Sequence, residues 1–175
     1  FHGDYVALAM DKLKIAVTKL SMLSERQLNY LLNDKLNGKL PAFINTGTVG
    51  LNFGIQGIQY TATSTVAENQ TLSNPVYIHS IPNNNDNQDI VSMGSNAALM
   101  AARVIENTFE VLAVEALALA DAVDALNMQD KLSVKLKDFY AGIRNATGAT
   151  QVDMPRFKQL ARIKDYLKAN NPDVI

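Results

Sequence analysis

Residues 89–127 read as one helix of up to about 39 residues, or about 58 Å at 1.5 Å per residue. Between Val111 and Ala120 it is apolar almost all round, with Glu115 the exception. A helix of that kind is enclosed by other helices. Glu115, Asp121 and Asp124 bar the apolar run at 111–126 from spanning a bilayer, which takes about 20 residues free of charge. A core helix this long needs long neighbours, and the remaining sequence supplies them.

At 4–36 apolar residues recur as Val6, Ala9, Met10, Leu13, Ala16, Val17, Leu20 and Leu23, the spacing of one helical face. Asn37-Gly38 stops that helix and Pro41 prevents a restart. A helix at 51–72 is rich in small residues, including Gly54, Gly57, Ala62, Ser64 and Ala67. Each interior glycine costs about 1 kcal/mol relative to alanine, so packing on several sides must hold it and it should be central. Two shorter amphipathic helices follow at 129–146 and 155–169, the second carrying Phe157, Leu160, Ile163 and Leu167 on one face. No strand pair and no internal repeat is evident, so the fold class is all-α, a long-helix bundle.

With 175 residues, 47% apolar and 19% charged, the chain has the composition of a soluble globular protein and a single domain is the expectation. The net charge is −1 and lysine and arginine are scattered, which argues against nucleic-acid or anionic-membrane partners. There is no cysteine, which removes disulfides and thiolate chemistry and fits a cytoplasmic location. His2 and His79 lack metal-ligand spacing, so no metal is expected. The chain opens on Phe1-His2-Gly3 without an initiator methionine or a signal segment, and is expected to be a piece of something longer.

Motifs for phosphate, dinucleotide or serine-nucleophile chemistry are absent. What stands out is HSIPNNNDNQDIVSMG at 79–94, with four asparagines and a glutamine inside 83–88. On one reading these are turn residues, with Asp86 or Asn87 capping the helix that follows and Asp89 complementing its dipole. On the other, neutral amides beside a donor-rich helix start orient a polar ligand. Composition leaves both open.

The runs FHGDYVALAMDKLKIAVTKLSMLSERQLNYLL, LPAF, GLNFGIQ, TATSTVAENQTLSNP, HSIPNNNDNQDIVSMG and VIENTFEVLAVEALALA resemble the C-terminal half of the aromatic amino acid lyases. This family holds the histidine, phenylalanine and tyrosine ammonia-lyases and related aminomutases, and the sequence looks closest to bacterial tyrosine ammonia-lyase-like members. The resemblance covers roughly residues 1–124. It implies a helical homotetramer whose active sites draw on three subunits. It also implies a 4-methylideneimidazole-5-one group, formed from an internal Ala-Ser-Gly, that drives loss of ammonia across the Cα–Cβ bond. This chain has no Ser-Gly dipeptide, so it lacks that group, and alone it is expected to be inactive, its partners being its own N-terminal portion and identical subunits.

Three positions carry over. Phe1 matches the aromatic residue beside the prosthetic group, the alternative being an ordinary core phenylalanine. Gln88 stands where histidine-acting members resemble NQED and carry a glutamate; a neutral amide cannot pair with an imidazole by charge, which argues for tyrosine or phenylalanine as substrate. Asn84 matches a pocket-lining position, with a turn asparagine the competing reading. His79 reads as structural or surface, Glu115 as hydrogen-bonded or paired at a subunit contact, and Glu25-Arg26 as a buried or interface ion pair. Tyr60 and Tyr77 could serve the pocket or packing alike. Rival readings are histidine ammonia-lyase or aminomutase within the family and, from another class, a non-catalytic helical oligomerisation module, since large apolar helix faces need partners.

Overall fold

In a computed structural model, which describes residues 3–148 and 153–170, the chain folds as helices joined by irregular connections. They are α1 (Asp4–Leu32), α2 (Asp34–Asn37), α3 (Gln56–Leu72), α4 (Gly94–Ala125), α5 (Val134–Thr147) and α6 (Phe157–Ala169). Among the described residues there is no strand, only isolated bridges at Val49 with Asn52 and at Asn83 with Gln88. The fold is all-α. No helix is long and apolar enough to cross a membrane among those residues.

The helix boundaries have local causes. Asn33 leaves helical geometry at φ −100, ψ 100, and its side chain accepts from Lys35 N, so the stretch at 4–36 breaks into α1 and a short α2 closed by Gly38 at φ 61. Residues 51–55 stay outside α3 because Gly54 sits at φ 59, where a Cβ would fall 2.5 Å from the Phe43 carbonyl oxygen. α4 starts at Gly94, not at 89, because Met93 takes φ 51 and the residues before it form a hairpin. At 32 residues α4 is about 48 Å long. α5 starts after its N-cap Ser133, with 129–131 a 3₁₀ turn.

The chain groups into two compact units. One comprises Thr65–Thr108 with the described residues up to Met22; the other comprises Leu23–Ser64 with the described residues from Phe109 onward. The first has an unusually polar interior. From α1 it buries Ala7, Asp11, Lys14, Thr18 and Ser21, from α3 Val66 and Asn69, and from α4 Ala97, Ala101, Val104, Asn107 and Thr108. Asn69 Nδ2 donates to Ser21 Oγ and Thr108 Oγ1, both at 3.2 Å, and Thr18 and Ser73 hydroxyls reach the Asn69 carbonyl at 3.3 and 2.7 Å. Each such bond contributes only about 0.5–1.5 kcal/mol net, but they let polar residues occupy a helix seam and fix its register.

The stripe that α1 buries is therefore not the apolar one. Val6, Leu20 and Leu23 remain 53%, 49% and 55% exposed, and Leu13 and Ile15 are exposed beside them. The periodicity of α1 is helical, yet in this first unit its inward face is set by hydrogen bonding. α3 likewise buries one stripe, Ile58, Ala62, Val66 and Asn69, with the rest of its surface largely open, so within this chain it is not enclosed on several sides.

The second unit is an apolar core of Leu28, Leu32, Ile55, Ile58, Val111, Val114 and Leu117, extended by Ile143 of α5 and by Leu160 and Ile163 of α6. Phe157 does not join it and is exposed. Arg156 and Gln159 turn inward instead, with Arg156 Nη1 donating to Gln159 Oε1 at 3.1 Å.

Candidate functional site

The connection between α3 and α4 carries the amide cluster, and its geometry is that of a closed hairpin. Asn83 N donates to Gln88 O at 3.1 Å and Gln88 N to Asn83 O at 3.3 Å. Inside this bridge Asn84, Asn85 and Asp86 lie at φ 52, 56 and 62, three consecutive left-handed residues, and Asn87 N donates to Asn84 O at 3.1 Å. Asparagine and aspartate adopt this region more readily than other non-glycine residues, which is why an amide run suits the turn.

The capping roles proposed for Asp86, Asn87 and Asp89 do not hold. α4 begins five residues beyond Asp89, whose Oδ1 accepts from its own neighbour Ile90 N at 2.9 Å. Asn84 and Gln88 occupy the turn and the closing strand-like position of the hairpin. Asn84 is exposed; Gln88 is the half-buried member of 83–88. Phe1 lies outside the described residues.

The hairpin is held at its base. Val91 N donates to Ser80 Oγ at 2.9 Å, and His79 N to Val76 O at 2.9 Å. Further back, Asp11 and Lys14 of α1 engage residues 74–77: Lys14 Nζ donates to Asn74 O at 2.7 Å, and Tyr77 N donates to Asp11 Oδ2 at 2.7 Å. Sequence reading missed this pair. Its available signal was a charged pair at i, i+3 inside a helix read only for its apolar stripe.

The other singled-out residues sit as follows. His79 is exposed, and Tyr60 and Tyr77 are exposed, Tyr60 with its hydroxyl receiving Gln56 Nε2 at 3.2 Å. Ser24 Oγ donates to Glu115, whose pKa is raised because burial disfavours the carboxylate more than the Ser24 hydrogen bond favours it. Glu25 is buried and pairs with Arg26, but the Arg26 side chain is 67% exposed, so half of that pair faces outward. Among the described residues no cluster of three or more histidine, aspartate or glutamate side chains could hold a metal ion.

In the second unit a cleft of about 180 Å³ is lined by residues 44–47, 52, 54 and 55 together with Asp121, Asp124, Asp153 and Arg156. Its charges are engaged with one another. Arg144 Nη2 reaches Asp121 at 2.8 Å and Asp124 at 2.6 Å, Tyr140 donates to Asp124, and Asp153 accepts from the Phe53 and Gly54 amides. That arrangement ties α4 to α5 and the 44–54 loop to the segment before α6; the ligand-binding candidates remain the amides of the hairpin.

Compared with known families, residues 1–145 match the sequence model of the aromatic amino acid lyases. The chain belongs to the aromatic amino acid lyase family. Its relatives in the family include tyrosine ammonia-lyase of Cupriavidus metallidurans, 43% identical over 153 residues, covering 87% of this chain and 29% of the relative. Histidine ammonia-lyase of Macrococcus caseolyticus is 42% identical over 168 residues, covering 96% and 33%. The MIO-dependent tyrosine 2,3-aminomutase of Streptomyces globisporus is 44% identical over 167 residues, covering 95% and 31%. A crystal structure of tyrosine aminomutase from that organism superposes with a TM-score of 0.92 at 42% identity, over 97% of this chain and 33% of that one. The chain thus spans about a third of the length of the curated lyases and aminomutases it matches.

Proposed function

We propose that this chain is the C-terminal part of an ammonia-lyase that eliminates ammonia from an aromatic amino acid, with tyrosine or phenylalanine preferred over histidine. Gln88 carries the reading. It is a neutral amide, half-buried at the closed end of a left-handed hairpin, at the position where histidine-acting members of the family resemble NQED. A carboxylate there would favour an imidazolium or imidazole N–H by charge; an amide supplies hydrogen bonds without it. Asn84 and Phe1 complete this chain's proposed share of the pocket.

The prosthetic group that the family implies does not fit this chain's own residues, because the sequence contains no Ser-Gly and so no Ala-Ser-Gly from which to form it. On this reading the electrophile comes from sequence outside the 175 residues, and the chain alone is inactive. What the chain does supply is the amide hairpin and the helices that hold it.

The proposed partners are the protein's own N-terminal portion and identical subunits in a homotetramer. The exposed stripe of Val6, Leu13, Leu20 and Leu23 along α1 supports this, since a row of half-exposed aliphatic side chains on a long helix favours association. An aminomutase that returns ammonia to Cβ would use the same pocket, and the 44% identity to a tyrosine 2,3-aminomutase favours keeping that product in view.

The test is to assay the full-length protein with tyrosine, phenylalanine and histidine, following both the unsaturated acid and the β-amino acid. Faster turnover of tyrosine or phenylalanine is expected. A clear preference for histidine would overturn the Gln88 argument, and a β-amino acid as main product would replace lyase by aminomutase.

A further inference from the structure

Lys14 is fully buried and Asp11 is 3% exposed, on the inward seam of α1. They form an ion pair at 2.9 Å, three residues apart on one helix. A pair at this spacing can satisfy itself at a surface; here it is turned inward and each side chain also bonds the backbone of residues 74–77. Lys14 Nζ also donates to Asn74 O at 2.7 Å and points at Met100 Sδ, 3.7 Å away. Asp11 Oδ2 takes the Tyr77 N–H at 2.7 Å. The two side chains thus grip both ends of residues 74–77, where the chain leaves α3. Burial alone would raise the Asp11 pKa, but the Lys14 and Tyr77 hydrogen bonds and the Lys14 charge outweigh it and hold the carboxyl below its ordinary 3.8.

From there the connection reaches the hairpin through Ser80, whose hydroxyl accepts from Val91 N, and the hairpin closes on itself between Asn83 and Gln88. Self-closure fixes the hairpin's shape but not its placement against the helices. We propose that Asp11 and Lys14 are positioning residues, a clamp that seats residues 74–80 on α1 and so sets where the hairpin presents Asn84 and Gln88. The functional half of this inference rests on the reading of Gln88 given above. The physical case for a clamp is that a buried ion pair is a poor source of net stability compared with apolar residues of similar volume, whereas it imposes a definite geometry on whatever it binds.

That contrast gives the experiment. In the full-length protein, the Asp11→Leu, Lys14→Met double substitution replaces the pair by apolar side chains and is expected to leave the thermal unfolding midpoint nearly unchanged. Hydrogen exchange at Tyr77 and across residues 79–91 is expected to quicken at least severalfold, and kcat/KM for the preferred aromatic amino acid to fall about tenfold, since small misplacements of a positioned group are costly. On this background Gln88→Glu is expected to lose most of its effect on substrate ranking, a non-additivity that a merely structural role would not produce. Should the double variant not fold, Asp11→Asn with Lys14→Met, which removes both charges and the Lys14 bond to Asn74, serves for the same exchange measurement. Unchanged exchange in a folded variant overturns the clamp. Faster exchange with unaltered kinetic constants and a full Gln88→Glu effect overturns its positioning role. If the unsubstituted protein acts on none of the aromatic amino acids, the functional reading fails by itself, and the exchange comparison still decides for or against the clamp.

Discussion

Asn83 and Gln88 exchange two backbone hydrogen bonds, 3.1 and 3.3 Å, across three successive left-handed residues. The bridge turns a polar run into a small rigid unit whose one half-buried side chain is Gln88. A left-handed residue other than glycine is disfavoured, and three in a row persist only because the bridge and the asparagine side chains tolerate them. Selection for a defined turn and selection for amide chemistry therefore point to the same residues, which is why composition leaves the two readings unresolved.

The turn geometry itself is testable. Asn85→Val places a β-branched residue at φ 56 and is expected to weaken the hairpin by about 1–2 kcal/mol, speeding exchange of the Gln88 amide roughly tenfold. Asn85→Gly should leave that exchange near its original rate, because glycine accepts the conformation. Equal rates in the two variants would show that the bridge does not depend on the left-handed turn.

Gln88→Glu addresses the chemistry. If the amide faces the substrate ring, introducing a carboxylate is expected to lower kcat/KM for tyrosine or phenylalanine and raise it for histidine. The ratio should shift by about 10–100-fold, the worth of one charge-assisted hydrogen bond of about 1.5–3 kcal/mol. Steady-state kinetics on three substrates measures it; an unchanged ratio removes Gln88 from the pocket.

Glu115 carries a pH prediction. Its folded-state pKa is raised above the ordinary 4.5, so between those values the folded protein binds more protons than the unfolded chain. Its contribution therefore falls as pH rises through the window just above 4.5, and at neutral pH the ionised carboxylate is a cost. Glu115→Gln keeps an acceptor for Ser24 and removes the titration. The variant is expected to be more stable at pH 7 and indistinguishable at pH 4, as judged by unfolding midpoints across pH. A variant less stable at pH 7 would mean the charge is used in a contact elsewhere.

Much of the helical layout is legible in the sequence, because period and length are local properties. Apolar spacing places α1, and the almost wholly apolar stretch at 111–120 corresponds to the part of α4 buried on nearly every side. What periodicity cannot give is phase when the buried face is polar. α1 turns Asp11, Lys14, Thr18 and Ser21 inward, since Asn69, Ser73, Asn74 and Tyr77 are there to meet them, and those partners lie more than 45 residues away in the chain. Phe157 fails for the same reason: Arg156 and Gln159 satisfy each other inside and displace the aromatic to the surface. For the candidate site, the turn propensity of the asparagines was readable, whereas the left-handed run rests on the Asn83–Gln88 bridge and the late start of α4 on Met93 at φ 51, for which residue type gives no signal.

The junction of α4 and α5 offers the largest expected effect. Arg144 lies between Asp121 and Asp124 at 2.8 and 2.6 Å, and the Asp121 pKa is raised by burial despite that partner. Removing the cation leaves a buried carboxylate uncompensated, which usually costs about 3–5 kcal/mol. Arg144→Met is expected near the lower end, about 3 kcal/mol, because Arg156 Nη1 stays 3.8 Å from Asp121. The loss should appear as faster hydrogen exchange through α5 and a lower denaturant midpoint. Adding Asp121→Asn to Arg144→Met removes the stranded charge and is expected to recover more than half of the loss. A double variant no more stable than Arg144→Met would place the arginine's contribution in its contacts with Tyr140 and the Gly148 carbonyl instead.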